Sequence, residues 1–222
     1  MNEAHPDTRP EMYLEAHFED LAKQTHAAHL GMWLFLASEV LFFTALFALY
    51  VAYRSEYGEA FLLASRHTDL WLGSINTVVL VTASLLVALA VGAIRVGRGR
   101  SSAKLLFGAA ALGVLFLVLK LTEYFHHFSE GLYPGRFYHS SALPEPGGRV
   151  FFTFYYLMTG LHALHVTGGI VLLAVLGILA WKERYSAVYH TPLELGGLYW
   201  HLVDLIWLFL WPAFYLLRGG GA

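Results

Sequence analysis

The chain has 222 residues, 57% of them hydrophobic, a positive mean hydropathy and a formal net charge of −2. A soluble domain cannot hide that much apolar surface, so the class is an integral membrane protein, and the charge is too small for a nucleic-acid partner. There is no cysteine; that removes disulfides and thiolate metal or iron–sulfur sites and leaves the compartment open.

Residues 1–25 form a polar tail, acidic at Glu3, Asp7, Glu11, Glu15, Glu19 and Asp20. The tail has no apolar core, so it reads as neither a signal peptide nor an Arg-rich transit peptide, and the chain is expected to insert through its own helices. Glu11 to Gln24 allows either an exposed amphipathic helix or a solvated tail. Apolar runs of spanning length, about 20 residues or more, then follow at 26–53, 69–95, 103–128, 150–181 and 192–217. They are continuous rather than alternating, which excludes a β-barrel. The expected fold is therefore all-α, with one membrane domain over 26–222 built from five transmembrane helices.

Two boundaries are marked by chemistry. Gly131 to Gly148 holds three prolines and four glycines and reads as a loop. Thr191-Pro192-Leu193-Glu194 reads as a helix start, with Thr191 as N-cap, Pro192 at the first helical position and Glu194 closing a capping box. Lys and Arg residues set the orientation. Arg9, Lys23, Arg95, Arg98, Arg100, Lys104, Lys182 and Arg184 fall on one side; Arg54, Arg66, Arg136, Arg149 and Arg218 fall on the other. The bias puts the N-terminus in the cytoplasm and the C-terminus outside. Trp71, Tyr133, Trp181, Tyr185 and Tyr215 stand where interfacial anchors belong. Ser84, Ala88 and Gly92 recur every four residues on the second span, and Gly160, Gly168 and Gly169 thin the fourth; both patterns suit close helix packing.

Ionisable residues at membrane depth are costly, and each needs a partner. Glu39 is near the middle of the first span and must be protonated, hydrogen-bonded or both. Its readings are a proton-linked or interface-forming carboxyl, or a neutral acid bonded to a neighbouring helix. His162 and His165 share a helical face and suggest metal or haem ligands, but two imidazoles fall short of the usual three or four donors; buried histidines bonded to backbone or carboxylate are the commoner case. His201 and Asp204, three apart, can share a proton or bond within their helix. Lys120 and Glu123 have the same spacing, with Lys120 expected to snorkel to the interface. His126 and His127 are expected to be solvated, and Glu194 to serve its cap alone. No nucleotide-binding glycine loop, HExxH, GxSxG or C-x-x-C-H occurs.

Four blocks, in order, resemble subunit III of the haem–copper terminal oxidases. They are Gly31-Met32-Trp33-Leu34-Phe35-Leu36-Ala37-Ser38-Glu39-Val40; Gly73-Ser74-Ile75-Asn76-Thr77; Leu121-Thr122-Glu123-Tyr124-Phe125 with Gly160-Leu161-His162-Ala163-Leu164-His165-Val166; and Tyr199-Trp200-His201-Leu202-Val203-Asp204-Leu205-Ile206-Trp207-Leu208-Phe209-Leu210. The resemblance implies a non-catalytic core subunit of cytochrome c oxidase in a bacterial plasma (inner) membrane, within a complex that passes electrons to O2 and pumps protons. It implies no catalytic residue, cofactor or metal on this chain, with haems and copper on partner subunits. Its implied task is to support the assembly, proton uptake and stability of subunit I and to bind phospholipid. Subunit I is the main implied partner, then subunit II, with a small subunit IV and a larger respiratory supercomplex as further candidates. Glu39, Glu123, His162, His165, His201 and Asp204 match the family's intramembrane polar positions. One departure is clear: the mitochondrial-type subunit has seven helices, and this chain resembles the five-helix bacterial form without the first two. Subunit III of a quinol oxidase is the neighbouring alternative, although Glu39 and the Ser74–Thr77 block resemble the cytochrome c branch. From other classes, an independent membrane metallo- or haem protein and a small proton-coupled transporter remain open.

Overall fold

A computed structural model describes residues 18–138 and 146–216, and among these the elements are all helical. Five long helices, α1 (Leu21–Glu56), α3 (Leu70–Arg95), α4 (Gly99–Ser129), α5 (Gly147–Trp181) and α6 (Thr191–Tyr215), are each long and apolar enough to cross a bilayer. A short α2 (Gly58–Ala64) and the 3-10 turns Ser65–His67 and Gly135–Phe137 complete the set. Residues 1–17 lie outside the described residues, with most of the acidic tail, Arg9 and part of the possible Glu11–Gln24 segment. So do 139–145 of the proline- and glycine-bearing loop, residue 217 and Arg218.

Local chemistry sets the ends. The α1 helix starts at Leu21 rather than at 26, because Asp20 is in an extended conformation and its carboxylate accepts from Lys23 N–H at 2.6 Å. Asp69 caps α3 in the same way, accepting from the Trp71 and Leu72 N–H groups at 2.9 and 3.2 Å. The turn from α3 into α4 needs a left-handed residue, which Gly97 supplies at φ 74° while Arg98 N–H bonds back to Ala93 O. The start of α6 departs from expectation. His190, not Thr191, is the N-cap; it makes no side-chain capping bond, and Pro192 stands in the first turn.

The buried faces of α3 and α4 carry small residues, with Ala83 and Ala90 on one and Ala103 and Ala109 on the other fully buried. Of the stripe read from sequence, only Ser84 is buried. Ala88 and Gly92 face outward, with open space where a Gly92 Cβ would point. The packed face of α3 runs instead through Leu80, Ala83, Val87, Ala90 and Ile94, about a third of a turn around the helix at 3.6 residues per turn. On α5, Gly160 meets nothing, whereas Gly168 and Gly169 admit the rings of Tyr199 and Trp200 from α6. Gly147 opens α5 directly against the Cβ of Ala60, so α2 closes one end of the bundle. The tightness is uneven: 56% of the apolar stretch of α6 is buried inside the chain, but only 17% of that of α1. The α1 helix lies on α6 and α5 through Leu36, Phe43 and Tyr50.

Candidate functional site

The predicted polar residues do not converge on one centre; they form three separate groups. The first ties α4, α5 and α6 together. Lys120 is 2% exposed and does not snorkel. Its ammonium donates to Glu123 Oε2 at 3.0 Å, Tyr155 Oη at 2.8 Å and Tyr215 Oη at 2.5 Å, which uses all three of its protons. Tyr215 in turn donates to Glu123 Oε1 at 2.7 Å. The rings of Tyr155 and Trp207 lie 4.5 and 5.3 Å from the ammonium. Inward partners outbid the interface, so the lysine stem runs into the bundle. Tyr215 is thus an internal ligand of the ion pair rather than an anchor, and Tyr185 is buried as well. Trp71 and Trp181 remain exposed near helix ends. His127 is buried too, its Nε2 facing His67 O at 3.2 Å; His126 is exposed and pairs with Glu130 at 3.3 Å.

The second group is the seam between α1 and α5. Glu39 Oε2 is 2.9 Å from His165 Nε2. His165 Nδ1 lies 2.8 Å from Leu161 O, and a carbonyl only accepts, so Nδ1 carries a proton. The Glu39–His165 bond then requires one further proton, held by the acid or by the imidazole. Phe43 sets its ring edgewise on His165 at 5.4 Å, and Tyr199 Oη donates to His165 O at 3.0 Å.

The third group lies between α3 and α6. His201 Nδ1 is 3.3 Å from Ser84 Oγ, and Ser84 also faces the Asp204 carboxyl. The expected pair within α6 is therefore joined through a hydroxyl on α3. Asp204 is 8% exposed and one of its oxygens has no partner, whereas the His201 ring faces outward. His162 belongs to none of the groups. It is wholly buried, stacked on Trp207 at 5.3 Å with Phe116 edgewise at 5.7 Å, and neither ring nitrogen is bonded. His162 and His165 thus point to different neighbours, and among the described residues no three His, Asp or Glu side chains converge as metal ligands.

Sequence reading missed a cluster where α6 begins. Glu194 is not merely a cap: its Oε1 accepts from Arg95 Nε and Nη2 at 3.0 and 2.7 Å. His190 lies 3.2 Å and His29 3.7 Å from the same carboxylate. Opposite charges on helices that run antiparallel and meet at one membrane face were the available signal. Tyr155, Trp207 and its Nε1–H bond to Thr77 at 3.1 Å were missed as well; they are aromatic residues indistinguishable in sequence from lipid-facing ones.

Fold and site together define a multi-pass helical membrane protein whose ionisable groups at depth are mostly bonded across helix seams. The comparisons place it more narrowly. Residues 147–218 match the family model described as cytochrome c oxidase subunit III. The chain is 32% identical over 191 residues to cytochrome c oxidase subunit 3 of Synechocystis sp., covering 84% of this chain and 74% of that protein. It is 33% identical over 192 residues to that of Thermostichus vulcanus, covering 85% and 86%. For that of Damaliscus lunatus the values are 32% over 194 residues, 83% and 67%. The chain belongs to the cytochrome c oxidase subunit III family, and through it to a respiratory oxidase complex.

Proposed function

We propose that the chain is a non-catalytic core subunit III of an aerobic cytochrome c oxidase in a bacterial plasma membrane. It stabilises subunit I, sustains proton uptake by keeping the complex assembled, and binds phospholipid. Haems and copper belong to subunits I and II. The observation that carries this reading is the separation of the polar residues. Glu39 and His165 bond across one helix seam, Glu123 across a second, and His201 and Asp204 face Ser84 across a third. The relatives' own names favour the cytochrome c branch over the quinol branch. The basic residues from Arg95 to Lys104 support a cytoplasmic N-terminus.

Purification in mild detergent tests the reading. The chain should bring with it a haem-bearing partner, and the chain separated from that partner should be colourless and metal-free. Stoichiometric haem or metal on the isolated chain, lost on His162→Ala, would refute it. For orientation, a thiol reagent applied from outside should label Ser129→Cys and miss Ser101→Cys.

A further inference from the structure

Glu39 and Lys120 have partners within the chain; His201 does not have all of its own. The α6 helix is the most buried of the five, yet one strip of it, through Leu198, His201, Leu205 and Phe209, faces outward between α1 and α3. Two clefts follow one another along this strip. A cleft of about 380 Å³ is lined by Ala88, Val91 and Arg95 of α3, His29 of α1, and Gly197, Leu198 and His201 of α6. The next, of about 430 Å³, runs between Val40, Phe43 and Phe47 of α1 and Leu202, Leu205 and Phe209 of α6. From Glu194 to Phe209 the furrow is about 22 Å long at 1.5 Å per residue. Its α3 wall is low because Ala88 and Gly92 are small and exposed, with open space where a Gly92 Cβ would point.

The chemistry of the furrow selects its occupant. His201 lies ten residues into α6, about 15 Å below the start of the helix and inside the hydrocarbon layer. Beside it Asp204 is nine-tenths buried and keeps an unpartnered carboxyl oxygen. Acyl chains offer neither donor nor acceptor, and a lipid headgroup at the interface does not reach that depth. A transmembrane helix does. Small residues let its backbone approach, and one polar side chain at the right level completes the histidine's bonding. The geometry points to the α1–α6–α3 furrow as the docking face for a transmembrane helix of another oxidase subunit, one that presents a hydrogen-bonding side chain level with His201. The inference rests on the subunit reading above and adds which face of the chain meets the partner. The α4 and α5 faces around Val118 and Val171 are equally exposed, and their threonines, Thr122 and Thr167, already donate to carbonyls of their own helices, so these faces are left to lipid.

The test places a photoreactive benzoylphenylalanine at Ala88, Leu205 or Val118 in the assembled complex. The Ala88 and Leu205 positions should crosslink to another subunit, and Val118 to lipid alone. A second measurement uses two outward-facing side chains, Ala88 and His201, the latter bonded within the chain to Ser84 alone. Ala88→Trp and His201→Leu should reduce the partner retained through purification severalfold, and His201→Gln should restore most of it, while helix content stays unchanged. If the complex carries its haem but Ala88 and Leu205 capture only lipid, or a second copy of this chain, the docking face is wrong and the subunit reading stands. Subunit crosslinks from Val118 instead would also overturn it. If no haem-bearing partner co-purifies with the unmodified chain, the subunit reading fails, and the docking proposal with it.

Discussion

Among the described residues, an acid is bonded directly to a base at membrane depth in two of the three polar groups, and the two sites differ in how many bonds hold each. In the α4–α5–α6 knot, Lys120 and Glu123 are almost dry; the ammonium donates to Glu123, Tyr155 and Tyr215, so every one of its protons is used, and Tyr215 also donates to Glu123. At the α1–α5 seam, Glu39 and His165 have mainly each other, and their side chains are about one-fifth exposed. The knot sits among the most buried helices and the seam on the least buried one. A buried ion pair adds little net stability, yet removing one partner strands the other. The same chemistry therefore makes the knot a lock on the bundle and the seam a hinge-like attachment of α1.

The comparison is broken most severely at the knot. Glu123→Leu should cost about 3–5 kcal/mol, because it leaves the Lys120 ammonium uncompensated in the core. Lys120→Met should cost a similar amount. The double variant should be more stable than either single one, which thermal unfolding in detergent reads directly. If the single variants prove neutral, the knot is not a lock. At the seam, Glu39→Leu should cost less, about 1–3 kcal/mol, through the bond lost by His165. It should loosen α1 rather than unfold the bundle, so proteolysis near the start of α1 should rise while α4–α6 stay protected. At the edge, Asp20→Ala removes an N-cap worth about 1 kcal/mol and should fray the first turn of α1 alone, visible as faster amide exchange there. Arg95→Gln should be smallest, about 0–1 kcal/mol, because the guanidinium is largely exposed and screened.

The five spans and their order were legible because apolar runs of this length have no competing reading. The ends were less so, since a single cap such as Asp20 moved α1 earlier and a missing one shifted the start of α6. The intramembrane polar residues were legible as a set, because charge at depth is rare. Their partners were not. Glu39 met His165 on its own chain and Lys120 turned inward, and both outcomes depend on which faces of different helices meet. Helical periodicity is weak evidence for such faces in lipid, where both the core-facing and lipid-facing sides are apolar. The Ser84–Ala88–Gly92 stripe shows the same limit, since spacing alone does not reveal that Ala88 and Gly92 face away from the chain's own core.

The central claim is that the polar groups of this subunit hold helices together rather than carry out chemistry, and Glu39→Gln tests it most directly. Glutamine keeps nearly the same volume and can donate its amide N–H to His165 Nε2, in place of the shared proton of the native pair. It cannot pass a proton. Oxygen turnover and proton uptake of the purified complex, with full subunit content verified, should both match the native enzyme. A severalfold loss of proton uptake in an intact Glu39→Gln complex would contradict the account and make this carboxyl a proton carrier.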